Sequence, residues 1–196
     1  PVLDPDADLD DPEVDAKLRA YQAGLAEEVK QSGGFDYAVS IVWGNNEGFP
    51  IKALQAHNLE WITKGALDFL DACDDERPFF LYVTPTAFHG PPHHESYERD
   101  IRYTQGGKRD DLEGFHPPRA AMKARLEACG LPYNHDTVGI TWIDDQVAVI
   151  LDKLEAMGVL DDTIVIFKVD HNTETGKGTC HQPGIHIPMV MRRPGV

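Results

Sequence analysis

Apolar residues at Val14, Leu18, Tyr21, Leu25 and Val29 recur every three or four positions. That is the spacing of one helix face and predicts a helix over residues 13–31, stopped by Gly33 and Gly34. Aromatic and β-branched residues then crowd positions 35–43, which predicts a strand. Leu59, Ile62, Ala66, Phe69 and Leu70 return to helical spacing and predict a second helix, ending in the acidic turn near Asp74. Residues 78–83, Pro-Phe-Phe-Leu-Tyr-Val, form an unbroken apolar run of the kind a strand buried on both faces needs. A third helix is predicted over 119–128, closed by Gly130. A fourth, over 141–157, carries Ile143, Val147, Ile150, Leu151 and Leu154 on its apolar face and is closed by Gly158. Residues 163–167 predict another apolar strand, running out at Asp170-His171, and 187–191 a last short one.

Strands alternating with helices predict an α/β fold, a mostly parallel sheet between helices. In such sheets chemistry gathers in the loops that leave the carboxyl ends of strands. Two loops qualify, one after Val83 and one after Phe167. Residues 1–12 are rich in Pro and Asp and predict an acidic loop or linker; they lack the central Gly and terminal Glu of a calcium-binding EF-hand loop. Residues 13–196 are expected to form one domain. Within it 99–118 shows no period, and a long irregular loop is a candidate substrate-facing insertion.

Charge narrows the classes. With 33 acidic and 18 basic residues in 196, the formal net charge is −15. Such a surface repels nucleic-acid phosphates, and no basic stripe offsets it, so nucleic acid is not an expected partner. An anionic substrate would need local positive charge from a metal or a few placed cations. No apolar run is long enough to cross a bilayer, no signal-peptide pattern opens the chain, and compartment and oligomeric state stay open. Cys73, Cys129 and Cys180 have neither CxxC spacing nor an even count, and are expected to be plain thiols.

The loop after Phe167 brings Asp170 and His171 to a strand end, where a carboxylate and an imidazole can face a metal or serve only structure. Glycines around Lys177 let the backbone carry that cation close to an anion. The P-loop pattern fails, because Gly178 follows the lysine and no Gly stands five positions before Gly176. In the loop after Val83, His89 comes earliest and so lies nearest the sheet edge. His93 and His94 lack the HxxxH or HExxH frame and are expected to be solvated in a Pro-rich surface loop. Asp144 and Asp145 fall in the first turn of the predicted fourth helix. There they offset its dipole, and they diverge by about 100° rather than facing one site.

Taken together these segments resemble the sulfatase family. Arg77 to Val83, followed by His89-Gly90-Pro91, resembles the family's strand and active-site histidine. Trp142 to Met157 with Gly158 to Phe167 resembles its helix and following strand. Asp170-His171, Gly176-Lys177-Gly178-Thr179, Ile187-Pro188-Met189-Val190 and Arg193-Pro194-Gly195 resemble its closing motifs. The stretch from Ala56 to Phe69 resembles the helix before the first block, so the likeness runs from about Gly34 to Val196.

The resemblance implies an alkaline phosphatase-like α/β/α sandwich, present in part, and hydrolysis of a small-molecule or glycan sulfate ester. It implies Asp170 and His171 as ligands of a divalent metal, usually calcium. Imidazole biases the site toward manganese or zinc, and Asn172 is the alternative ligand to His171. Lys177 would hold a sulfate oxygen, and His89 would contact the sulfate and protonate the leaving oxygen. The family's nucleophile is a formylglycine made from Cys or Ser in a Cys/Ser-x-Pro-x-Arg motif, and no cysteine here has that context. The paired aspartates that precede that motif, a lysine–histidine pair and the C-terminal subdomain are also not matched. Asn172 stands where the family has glycine and Val169 where it has serine. The chain is therefore expected to be an internal piece of a longer enzyme, with little turnover and weak metal binding alone. The same residues would serve a phosphonate or phosphate ester hydrolase of the superfamily, and a non-catalytic remnant binding sulfated glycans or a partner is the other alternative.

Overall fold

Asp11 accepts the Glu13 N–H and, with Pro12 in the first turn, starts the first helix, α1 (Pro12–Gly33). Gly34 closes it in the left-handed conformation. The computed structural model describes residues 3–42, 44–74, 77–171, 177–193 and 195. Its chain divides into two units, Pro1–Lys153 and Leu154–Val196.

In the first unit α1 buries Leu18 and Leu25, as the helical spacing predicts. Leu18 packs with Leu3, Phe49, Ile51 and Leu54 in one apolar cluster. The opening loop is therefore anchored: Leu3 is buried, and Asp10 accepts from Tyr103 and Lys108. Helix α2 (Leu59–Ala72), capped by Asn58, buries the predicted Leu59, Ile62, Ala66 and Leu70, and Glu60 with them. Short helix α3 (His93–Tyr97) follows. Next come the strands β1 (Tyr103–Thr104) and β2 (Gly107–Lys108), an antiparallel hairpin. Gly106 in its turn lies so close to Trp61 that an added Cβ would stand 2.7 Å from the indole. The third predicted helix is present as a 3-10 turn (Arg119–Ala121) leading into α4 (Met122–Ala128).

Helix α5 (His135–Ala156) begins a turn and a half before the predicted start, because Asn134 accepts the Thr137 N–H and caps it early. Its buried residues include Val138, Trp142, Asp145, Gln146 and, as predicted, Leu154, whereas the rest of the predicted apolar row, from Ile143 to Leu151, is half-buried. Val138 and Trp142 join Leu59, Tyr97, Met122 and Leu126 in the second apolar cluster.

The sheet differs from expectation. Residues 35–42 and 78–83 form no ladder, Ser40 turns at φ +52° within the first, and Phe80 is 73% and Tyr82 63% exposed. A run buried on both faces needs strand neighbours for its N–H and C=O groups and covering layers for its side chains. Among the described residues no strand pairs with either run, and cover reaches one face only, where Phe79 and Tyr37 lie against Phe69 of α2. The last position of the first predicted strand, Trp43, lies outside them.

In the second unit β3 (Val165–Lys168) pairs with β4 (Met189–Arg192) antiparallel, Ile166 opposite Met191 and Phe167 opposite Val190. Both strands sit one or two residues later than predicted. A short helix, α6 (Gln182–Ile185), precedes β4. Every strand pair among the described residues is antiparallel, so the predicted mostly parallel sheet is not what they form. Ile164, Ile166, Met189 and Val190 are exposed, for the same want of a covering layer.

Candidate functional site

Two of the predicted site residues come together where β3 ends. Asp170 Oδ1 accepts the His171 backbone N–H at 2.9 Å, and its Oδ2 lies 3.2 Å from His171 Nε2. The carboxylate is 80% exposed, so one hard oxygen and one borderline nitrogen present themselves side by side with little desolvation to overcome. The pair could supply two ligands of a divalent cation. Among the described residues no group of three or more His, Cys, Asp or Glu gathers as a metal site, so the pair is at most part of one. Asn172, the alternative ligand, and Gly176 lie outside the described residues.

Lys177 belongs to the same unit and is exposed. Gly178 after it takes φ +79°, a left-handed backbone that side chains rarely adopt. The lysine is thus carried on a turn that its glycine neighbour makes cheap.

His89, in the first unit, stands on a different kind of loop. Its side chain is exposed, while the backbone around it is held from within. His57, 2% exposed, points Nε2 at the His89 carbonyl (3.0 Å) and the Pro91 carbonyl (3.1 Å). Carbonyls only accept, so Nε2 carries the proton. Nδ1 then accepts from Asn46 Nδ2 (2.9 Å) and Thr86 Oγ1 (2.8 Å). The Asn46 amide is fixed in turn by Gln105, whose Nε2 donates to its Oδ1 at 3.1 Å. His93 takes the opposite tautomer: Nδ1 donates to the His135 carbonyl (2.9 Å), and Nε2 accepts the Phe88 N–H (2.8 Å). His93 stacks on His135 with ring centroids 4.0 Å apart.

Burial pushes the His57 imidazole below its usual pKa and pushes His93 down to about 4. The expectation that His93 is solvated is therefore corrected, since it is wholly buried. The Pro- and Gly-rich composition reported a loop, but its partners Phe88, His135 and Gly139 lie up to 46 positions away in sequence, and no local pattern could announce them.

The Asp144–Asp145 pair divides as expected, Asp144 exposed and Asp145 buried, but not for the dipole reason. With α5 starting at His135 both lie in mid-helix, and Asp145 takes a two-pronged salt bridge from Arg125 at 2.6 and 2.7 Å. Residues 99–118, the candidate substrate loop, bury Thr104, Gln105 and Leu112 and so contribute to the core. All three cysteines are free thiols, and burial raises the Cys73 pKa.

Comparison with known proteins adds the larger frame. The family model for Sulfatase matches residues 21–196. The chain is 25% identical over 182 residues to an arylsulfatase of Clostridium perfringens, covering 80% of this chain and 35% of that protein. It is 22% identical over 189 residues to an N-acetylglucosamine-6-sulfatase of Capra hircus, covering 85% and 33%. It is 30% identical over 143 residues to the human N-sulphoglucosamine sulphohydrolase, covering 61% and 26%. The chain spans about a third of the length of the first two of these curated relatives. With a family match over residues 21–196, most of its length, the chain belongs to the sulfatase family, and so to the alkaline phosphatase superfamily.

Proposed function

We propose that the intact protein is a sulfuric ester hydrolase and that residues 13–196 are the C-terminal portion of its catalytic domain. The observation that carries the reading is the family match over residues 21–196, a range that includes Asp170, His171, Lys177 and His89. The α/β/α sandwich with a mostly parallel sheet would be completed by strands of the same protein outside the described residues.

In this reading Asp170 and His171 hold a divalent metal, calcium first and manganese or zinc as alternatives, with further ligands from the rest of the protein. Bound there, the metal would supply positive charge against the ester's sulfate oxygens. Lys177 holds a sulfate oxygen and stabilises the charge that builds as the S–O bond to the alcohol breaks. His89 delivers a proton to the departing oxygen, so that alcohol rather than alkoxide leaves. The nucleophile, expected to be formylglycine, lies outside this chain, which alone should turn over little ester.

The test uses the intact protein with 4-nitrophenyl sulfate and 4-nitrophenyl phosphate. Asp170→Asn and Lys177→Met should each lower kcat on the sulfate ester by about 100-fold or more, the scale for removing one charge-stabilising group. Sulfate turnover indifferent to both changes would refute the assignment. Faster turnover of the phosphate ester would move the reading to a phosphate or phosphonate ester hydrolase. No turnover of either, with no tight metal binding, would leave the non-catalytic reading.

A further inference from the structure

We propose that His57 and His93 are positioning residues for His89, a pair of buried neutral imidazoles of opposite tautomer that set the backbone from Thr86 to Pro91. This inference rests on the reading of His89 as a substrate-contacting group.

The geometry has three parts. His57 grips the loop after its turn: one Nε2–H is shared by the carbonyls of His89 and Pro91, which draws those two residues together across Gly90. His93 grips the loop before it, accepting the Phe88 N–H. Phe88 itself stands at φ +70°, a left-handed backbone that a bulky residue adopts only under compulsion. His89 thus emerges after a strained residue whose N–H is held by His93, with its own carbonyl and that of Pro91 sharing one N–H of His57.

Neither imidazole has room to rearrange. His57 Nδ1 faces Asn46, whose other end is committed to Gln105, so the amide cannot turn to suit a protonated ring. His93 lies against Gly139 so closely that an added Cβ would stand 2.2 Å from Nδ1. The ring centroids of His57 and His93 are 4.7 Å apart. The charged and titratable groups acting on this pair are His135 and Asp136 from the first turn of α5, and His89 from the loop itself. Both rings must be neutral for the loop to hold this shape, since a second proton on His93 would point at the Phe88 N–H. A site that positions a proton donor within a fraction of an ångström needs this kind of support behind it.

The experiment uses the intact protein and 4-nitrophenyl sulfate, with three variants measured together. His89→Ala should lower kcat, which tests the underlying reading. His57→Leu, which removes both carbonyl contacts, should lower kcat by about 10-fold or more while KM moves less than about 2-fold. His57→Gln, whose amide can still donate to the two carbonyls, should restore most of that loss. A purely structural role would instead lower the folded fraction in both His57 variants and leave kcat per folded molecule alone. Loss in His89→Ala with full kcat in His57→Leu would overturn the positioning role, whereas full kcat in His89→Ala would overturn the reading of His89 first. Should His57→Leu fail to fold, imidazole 15N spectra of the unaltered protein decide. They should show, near neutral pH, His57 uncharged and protonated at Nε2 and His93 uncharged and protonated at Nδ1, and a charged ring or the opposite tautomer at either position overturns the proposal.

Discussion

The buried imidazole of His93 gives the sharpest quantitative expectation, an acid-sensitive stability with a defined window. In the unfolded chain His93 takes up a proton near its ordinary 6.5, but in the folded protein burial holds it neutral down to about 4. Between those values the unfolded state binds more protons than the folded state, so stability rises with pH across the window and falls as pH drops through it. The contribution is undiminished above about pH 6.5 and exhausted near pH 4. At about 1.4 kcal/mol for each unit of pH, the whole window is worth about 3 kcal/mol, of which about 2 kcal/mol is lost between about pH 7 and about pH 5. His57 and His116 are also held below their usual pKa by burial and add to the loss in the same window. Carboxylates held down by neighbouring cations, such as Asp111 beside Arg109 at about 2, act only below the usual carboxylate range and stay out of it. The clean comparison is therefore a His93→Gln variant, which keeps an acceptor for the Phe88 N–H and cannot charge. Urea titrations of both proteins at about pH 7 and about pH 5, followed by tryptophan fluorescence, read the difference. The variant should lose about 2 kcal/mol less than the parent on acidification. Equal losses, within about 0.5 kcal/mol, would refute the assignment of His93 as a buried neutral ring.

Two further outcomes follow from close packing. Gly139→Ala should destabilise the protein even though alanine is the better helix former by about 1 kcal/mol, because the new Cβ meets the His93 ring at 2.2 Å and overpacking costs about 1–3 kcal/mol; a higher melting temperature would contradict it. Arg119 Nε and NH2 each reach a Glu60 carboxylate oxygen at 2.7 Å, and Trp142 Nε1 adds a third contact at 3.2 Å. Arg119→Met should cost about 3–5 kcal/mol by leaving the Glu60 charge buried, and the double change Arg119→Met with Glu60→Met should recover part of that. Unfolding titrations that rank the double variant below the single one would show that the charge is not the cause.

How far the sequence reaches depends on whether its signal is local. Helix periodicity is local: Leu18 and Leu25 in α1, and Leu59, Ile62, Ala66 and Leu70 in α2, are buried where the spacing puts them. Strand pairing is not local, because a ladder needs a partner that the strand's own residues cannot name. Residues 78–83 are as apolar as a central strand, yet Phe80 and Tyr82 stand exposed and Phe79, Leu81 and Val83 are only half-buried. The early start of α5 turned on the Asn134 cap, which lies before the first apolar repeat and was legible in principle.

By itself the sequence determined the longer helices α1 and α2 and most of α4 and α5, the family and the candidates Asp170, His171, Lys177 and His89, because motifs and periods are properties of neighbouring residues. Tertiary structure alone decided that His57 and His93 are buried with opposite tautomers, and that Asp145 answers Arg125 and Glu60 answers Arg119. Each of these groups has its tautomer or its charge stabilised by a partner remote along the chain, and only folding brings that partner within hydrogen-bond reach.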